Sequence, residues 1–140
     1  MELYKTDIRF STNGHTDIVD ISPMVQEEVS ASGLRDGNVA LFVVGSTAGI
    51  TTLEYEPGLV NKDFPALFEQ IAPYQYPYGH HETWNDDNGA SHLRASLVGS
   101  SLNVPFRDRR IIQGTWQQIV VMDFDTRPRD RNVVAHVYGE

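Results

Sequence analysis

Three histidines, His80, His81 and His92, stand within the stretch Tyr78 to Gly99, YGHHETWNDDNGASHLRASLVG. Imidazole changes charge near neutral pH and is also the commonest metal ligand, so such a group suits proton transfer or metal binding. His80 and His92 are a dozen residues apart and can converge on one ion. A zinc site open to chemistry takes three protein ligands plus water, and Glu54 is the candidate for the third. The chain has no cysteine, so thiolate zinc sites, iron–sulfur clusters and disulfides are excluded. Any metal must rest on His, Asp or Glu. The competing reading is surface histidines beside a turn, since no short metal motif accompanies them.

Other residue types bear on anions. On a helix over 89–97, His92 and Ser96 share a face at i, i+4, while Arg94 points elsewhere. Ala90, Ala95 and Gly99 are small enough to admit another backbone, so the same segment reads as a packed core helix with one polar edge. Arg127, Arg129 and Arg131 fall on one side of any extended segment, and guanidinium groups hold phosphate in bidentate fashion. Salt bridges to Asp123, Asp125 and Asp130 are the favoured reading of that cluster, which also has Arg107, Arg109 and Arg110 upstream. Gly114-Thr115-Trp116-Gln117-Gln118 can present backbone N–H groups to an anion, or form a bulge with a core Trp. Neither this segment nor Gly45 to Gly49 matches the phosphate-binding GxxxxGK[ST] pattern.

Regular elements must position these residues. Glu2 to Ser11 and Ile18 to Ile21 read as strands on either side of the Asn13-Gly14 turn. Ser22-Pro23 opens a helix, with Ser as cap, and Gly33 stops it. Asn38 to Val44 (NVALFVV) is a continuous apolar run, expected to be buried on both faces. Ile50 to Tyr55 resumes as a strand. A helix capped by Asn61 or Asp63 runs to about Ile71. Tyr74 to Asn88 has no period and is expected to be a functional loop. A helix over Gly89 to Leu97 follows, with Asn88 as cap. Leu102 to Phe106, Arg110 to Gln113, Trp116 to Phe124 and Asn132 to Tyr138 read as strands, with a hairpin turn at Asp108-Arg109. About eight strands and three helices, clustered rather than alternating, predict an α+β fold with an antiparallel, sandwich-like sheet.

With 140 residues, the chain is expected to form a single domain over 1–140. Its 40% hydrophobic and 21% charged residues are those of a globular protein. A net charge of −8 repels phosphate backbones and anionic lipid, so nucleic acid and membrane surfaces are not expected partners. There is no signal-peptide-like N-terminus and no apolar run of spanning length, which points to the cytoplasm.

Together the segments STAGIT (Ser46 to Thr51), Glu54, YGH (Tyr78 to His80), N-x-x-x-HLRASLVG (Asn88 to Gly99), Val104-Pro105, GTWQQIV (Gly114 to Val120) and DFDTRPRDR (Asp123 to Arg131) resemble the YjbQ-type family, known as secondary thiamine-phosphate synthases. The resemblance covers almost the whole chain. It implies a homotrimer with a polar site between subunits, built around Glu54, His80 and His92, with Arg131 and the GTWQ segment near it. It implies joining a pyrimidine diphosphate to a thiazole phosphate with release of diphosphate. That leaving group needs charge neutralisation, by a divalent metal (Zn or Mg) on Glu54 or Asp86-Asp87 and by Arg94 or Arg131. Family members commonly carry His where this chain has Gly45, and His81 is a candidate substitute. The rival expectation is a non-catalytic protein that binds a metal or a phosphorylated ligand with the same residues.

Overall fold

Two antiparallel sheets and four helices make up the computed structural model, which describes residues 1–140. The order is β1 (Glu2–Thr12), β2 (Asp17–Asp20), α1 (Ser22–Ser32), β3 (Gly37–Val44), β4 (Ala48–Leu53), α2 (Phe64–Ile71), α3 (Gly79–Trp84), α4 (Gly89–Val98), β5 (Ser101–Arg107), β6 (Arg110–Ile111), β7 (Gln118–Asp123) and β8 (Arg129–Gly139). A π-turn at Leu59–Asp63 leads into α2. One sheet has the strand order β1-β8-β3-β5-β6 and the other β2-β7-β4. This is the expected α+β arrangement.

Burial explains the layering. Alternate residues of β3 (Val39, Leu41, Val43) and β8 (Val133, Ala135, Val137) meet Ile50 of β4, Ile119 and Val121 of β7, and Val25 and Val29 of α1 in one core. On the other face of β7, Val120 and Met122 pack with Phe68 of α2 and Ala95 of α4. Each fully buried Val, Ile or Met side chain contributes about 1.5–3 kcal/mol. Strand β7 is thus covered on both sides, which is why its text, QIVVMD, lacks alternation. The expectation that NVALFVV is buried on both faces is corrected: Phe42 and Val44 are 49% and 47% exposed. Helices α2 and α4 cover the outer face of the three-stranded sheet, and the outward side chains of β3 meet no such layer.

Local chemistry sets several ends. Asp108 and Arg109 have φ 49 and 65, and Phe106 and Arg107 pair with Ile111 and Arg110. That is the two-residue hairpin expected, with both central residues left-handed. Gly33 closes α1 at φ 74, also as expected. Ser22 does not cap α1. Its Oγ accepts the Ile119 amide at 2.8 Å, and Asp20 Oδ1 accepts the Ser22 amide at 2.9 Å. The segment expected to be a loop contains α3, which ends at Asn85 with φ 52. No helix is long and apolar enough to cross a membrane.

Candidate functional site

Helix α4 begins tight against the segment that precedes α3. A Cβ at Gly89 would lie 2.7 Å from Tyr78 Cβ, so only glycine lets the helix start dock there. This brings the His80 and His92 rings to 4.5 Å between centroids, tilted by 57°. Asn88, at the cap position of α4, makes no side-chain bond to the helix. Its Nδ2 donates to Asp125 Oδ1 at 3.4 Å, and its Oδ1 lies 3.0 Å from His80 Nε2. The carboxylate fixes which end of the amide donates. Asn88 Oδ1 is therefore the acceptor, and His80 Nε2 carries the proton. In neutral His80 the free lone pair is on Nδ1.

His92 is held below the ordinary imidazole value. Burial is the largest cause and the charge of His80 the second, while Asp125, Asp86 and the Ser46 backbone pull the other way. His92 is therefore a neutral base at pH 7. It opens on a cavity of about 510 Å³, lined also by Gly45, Ser46, Ser96 and Ser100. The space is polar, supplied with hydroxyls, and large enough for a small molecule.

Beneath the histidines lies a buried ionic network. Arg131 donates from Nε to Asp123 Oδ2 at 2.6 Å and from Nη2 to Asp123 Oδ1 at 2.9 Å. Its Nη2 also donates to Thr47 Oγ1 at 2.7 Å, and the Thr47 hydroxyl donates to Asp125 Oδ2 at 3.1 Å. Arg129 Nε reaches Asp125 Oδ2 at 2.7 Å. Burial pushes the Asp125 carboxyl up, but the Thr126 amide, Arg129 and Asn88 donate to it and together hold it below its ordinary value. One continuous chain of contacts thus runs from His92 through His80, Asn88, Asp125 and Thr47 to Arg131. Gly45, at φ 126, makes room for it, because a Cβ there would lie 2.5 Å from Arg131 Nη1.

The fold brings some of the predicted residues together and separates others. His92 and Ser96 line the cavity, His80 stands against His92, and Arg131 lies behind Gly45. Glu54 does not join them. It is exposed just past β4, whose Ala48 end pairs with Asp123 and whose Leu53 end pairs with Gln118. Seven residues of extended chain from Thr47 put Glu54 about 23 Å from the ionic network. Thr115 lies at the same far end, its carbonyl accepting Gln118 Nε2 at 3.2 Å. Arg94 is 1% exposed and spent within the fold: it donates to Ala72 O, Thr16 Oγ1 and Glu69 Oε2 and lies 3.9 Å over the Tyr74 ring. It reaches no phosphate. His81 turns away from His80 and has its Nδ1 2.9 Å from Asp86 O. No group of three or more His, Asp or Glu side chains is placed to hold a metal.

Arg129 and Arg131 form the salt bridges favoured for them, with Asp125 and Asp123. Asn88 and Thr47 are members of the site that residue type and spacing do not reveal. The available signal was an Asn at a helix start, which reads as a cap until its side chain is seen to point elsewhere.

The UPF0047 protein YjbQ-like family model matches residues 6–140. A UPF0047 protein of Methanothermobacter thermautotrophicus is 34% identical over 140 residues, covering 100% of this chain and 95% of that protein. UPF0047 protein YugU of Bacillus subtilis is 30% identical over 132 residues, 94% of this chain and 97% of that one. Among solved structures, a YbjQ-like protein of unknown function from Sulfolobus solfataricus superposes with a TM-score of 0.91 at 31% identity, over 99% of both chains. An uncharacterized conserved protein of the YjbQ/UPF0047 family from Clostridium acetobutylicum gives a TM-score of 0.84 at 30% identity, over 95% of this chain and 99% of that one.

Proposed function

The chain belongs to the YjbQ-like UPF0047 family, and from that premise we propose that it is a small-molecule enzyme whose proton-transferring centre is the His80–His92 pair. One observation carries this reading: two imidazoles stand 4.5 Å apart, and one of them, His92, is kept neutral and lines a cavity together with three serines. A group that takes up a proton must be unprotonated at rest, and His92, held below 6.5, is free to accept one at pH 7. The Asn88–Asp125 relay fixes the His80 tautomer, so the pair is oriented before a substrate arrives.

The substrate class is a small phosphorylated molecule, and the candidate reaction is the thiamine-phosphate-synthase type. A bond forms between the pyrimidine methylene carbon and the thiazole nitrogen, the carbon–oxygen bond to diphosphate breaks, and the departing diphosphate takes up a proton that the His80–His92 pair would relay from solvent. Donors at the cavity (the Ser46, Ser96 and Ser100 hydroxyls) would take the charge gathering on the leaving group. A divalent metal is assigned no step. One chain offers two imidazoles and no converging carboxylate, so a zinc or magnesium ion would need a ligand from elsewhere. A second copy supplying Glu54 and Thr115, as in a homotrimer, would complete the centre.

The test is to incubate purified protein with the two phosphorylated heterocycles and follow thiamine phosphate and diphosphate. Wild type is expected to form product, and His92→Ala to form none with a melting temperature within a degree or two of wild type. Binding without product would make the protein a ligand-binding one. A loss of several degrees in His92→Ala would make the pair structural.

A further inference from the structure

The segment 74–88 lines a second cavity. It encloses about 300 Å³ and is walled by Tyr74, Tyr76 and Tyr78, with Asp86 and Asp87 at its edge. We propose that this cavity binds a small organic cation, of the quaternary-ammonium or alkylamine class, between the tyrosine rings and the carboxylates. The site is distinct from the proposed reaction centre and does not depend on it.

The rings are fixed in place. Tyr74 donates its hydroxyl to Phe124 O at 2.9 Å, and Tyr78 donates to Pro73 O at 2.5 Å. The Tyr78 ring is seated in the space left by Gly89, where a Cβ would approach to 2.7 Å. Tyr76 stands 4.8 Å from Tyr78, tilted by 52°. With their hydroxyls committed to backbone carbonyls, Tyr74 and Tyr78 offer ring surface rather than hydrogen-bond donors, and an aromatic face is the negative side of its quadrupole. The Arg94 guanidinium, 3.9 Å from the Tyr74 centroid, already occupies one face of that ring, so the aromatic surface left for a ligand is chiefly that of Tyr76 and Tyr78.

Charge selects the same class of ligand. No Lys or Arg lines the cavity, and its basic lining groups are the imidazoles of His15 and His81. Neither Asp86 nor Asp87 is in a salt bridge. Asp87 accepts only the Thr126 hydroxyl, at 2.7 Å, and Asp86 only the Asp87 amide, at 2.8 Å. Two uncompensated carboxylates repel an anion. A bare metal ion is disfavoured because no three ligating side chains converge. An organic cation satisfies both walls: its apolar skin meets the rings, and its charge meets the carboxylates.

The probe pair is choline and its uncharged isostere 3,3-dimethyl-1-butanol, titrated at low ionic strength into the full chain and followed by amide chemical shifts. Choline is expected to bind about tenfold tighter, with shifts at Tyr76, Asp86 and Gly89 rather than at Gly45 and Ser96. Tyr76→Leu and Asp86→Asn, both at exposed positions, are each expected to shrink that ratio without altering the melting temperature. Equal affinity for the two probes, a ratio that survives both substitutions, or shifts centred on the His92 cavity would each overturn the proposal. None of these outcomes bears on the turnover test of the His80–His92 centre.

Discussion

His92 sits below its ordinary value of 6.5 because it is partly buried and faces His80. Removing that neighbour is expected to raise it: in a proton NMR titration of His80→Gln, the His92 transition moves up toward 6.5. An unmoved transition would show that His80 exerts no field there. The shifts also set how stability depends on acid. A folded value below the unfolded one means that protonating His92 favours the unfolded chain, so its cost is absent above about 6.5 and grows as pH falls toward the folded value. Asp125 is depressed from 3.8, so its contribution is full above that value and is lost as pH falls through the folded one. Denaturation curves across acid pH should therefore decline in two stages, with His92→Gln lacking the first and Asp125→Asn the second. At this scale the sequence identified the histidines by residue type. It did not identify Asn88, whose usual role at a helix start concealed a different use, and it proposed Arg94, whose burial beneath Tyr74 depends on packing between α2 and α4.

The link from β3 to β4 is where local backbone and ionic network constrain one another. Gly45 has a left-handed φ and no side chain, and Arg131 Nη1 fills the space beside it. Gly45→Ala is expected to cost about 1 kcal/mol or more in urea denaturation, since both the φ and the crowding oppose a Cβ. A His in its place would displace Arg131 from Thr47. Asp123 is fully buried and neutralises Arg131, itself 7% exposed. Asp123→Asn leaves that guanidinium without its counter-charge, and a loss of about 3–5 kcal/mol is expected by the same measurement. Most strands and turns could be read from the text because alternation, Gly33 and Asp108-Arg109 are local signals. The apolar runs of β3 and β7 look alike, and only the placement of α2 and α4 over the three-stranded sheet decides which of them is covered twice.

Across the whole molecule, the predicted site residues divide between two ends of the three-stranded sheet. His80, His92, Ser96 and Arg131 are at one end, Glu54 and Thr115 at the other. No linear pattern reports that separation, because both ends carry motifs of equal prominence. If neighbouring copies unite the ends, as proposed, then light scattering should give the mass of three chains. Mixing His92→Ala with Glu54→Gln subunits after dissociation should then recover turnover that neither has alone. A mixture as inactive as its parts would assign the two ends to separate roles.

The pairing of β8 with both β1 and β3 governs how the molecule can be made. Strand β8 is the last element in order, yet it lies between the first strand and β3, in register with β1 along eleven residues. A nascent chain emerging from the ribosome therefore has β1 and β3 waiting without the strand that joins them. Folding dominated by such distant pairings is slow. The edges of β1 and β3 stay unpaired until β8 has emerged, so emergence of β8, rather than assembly of the histidine site, should time the appearance of the native sheet during synthesis.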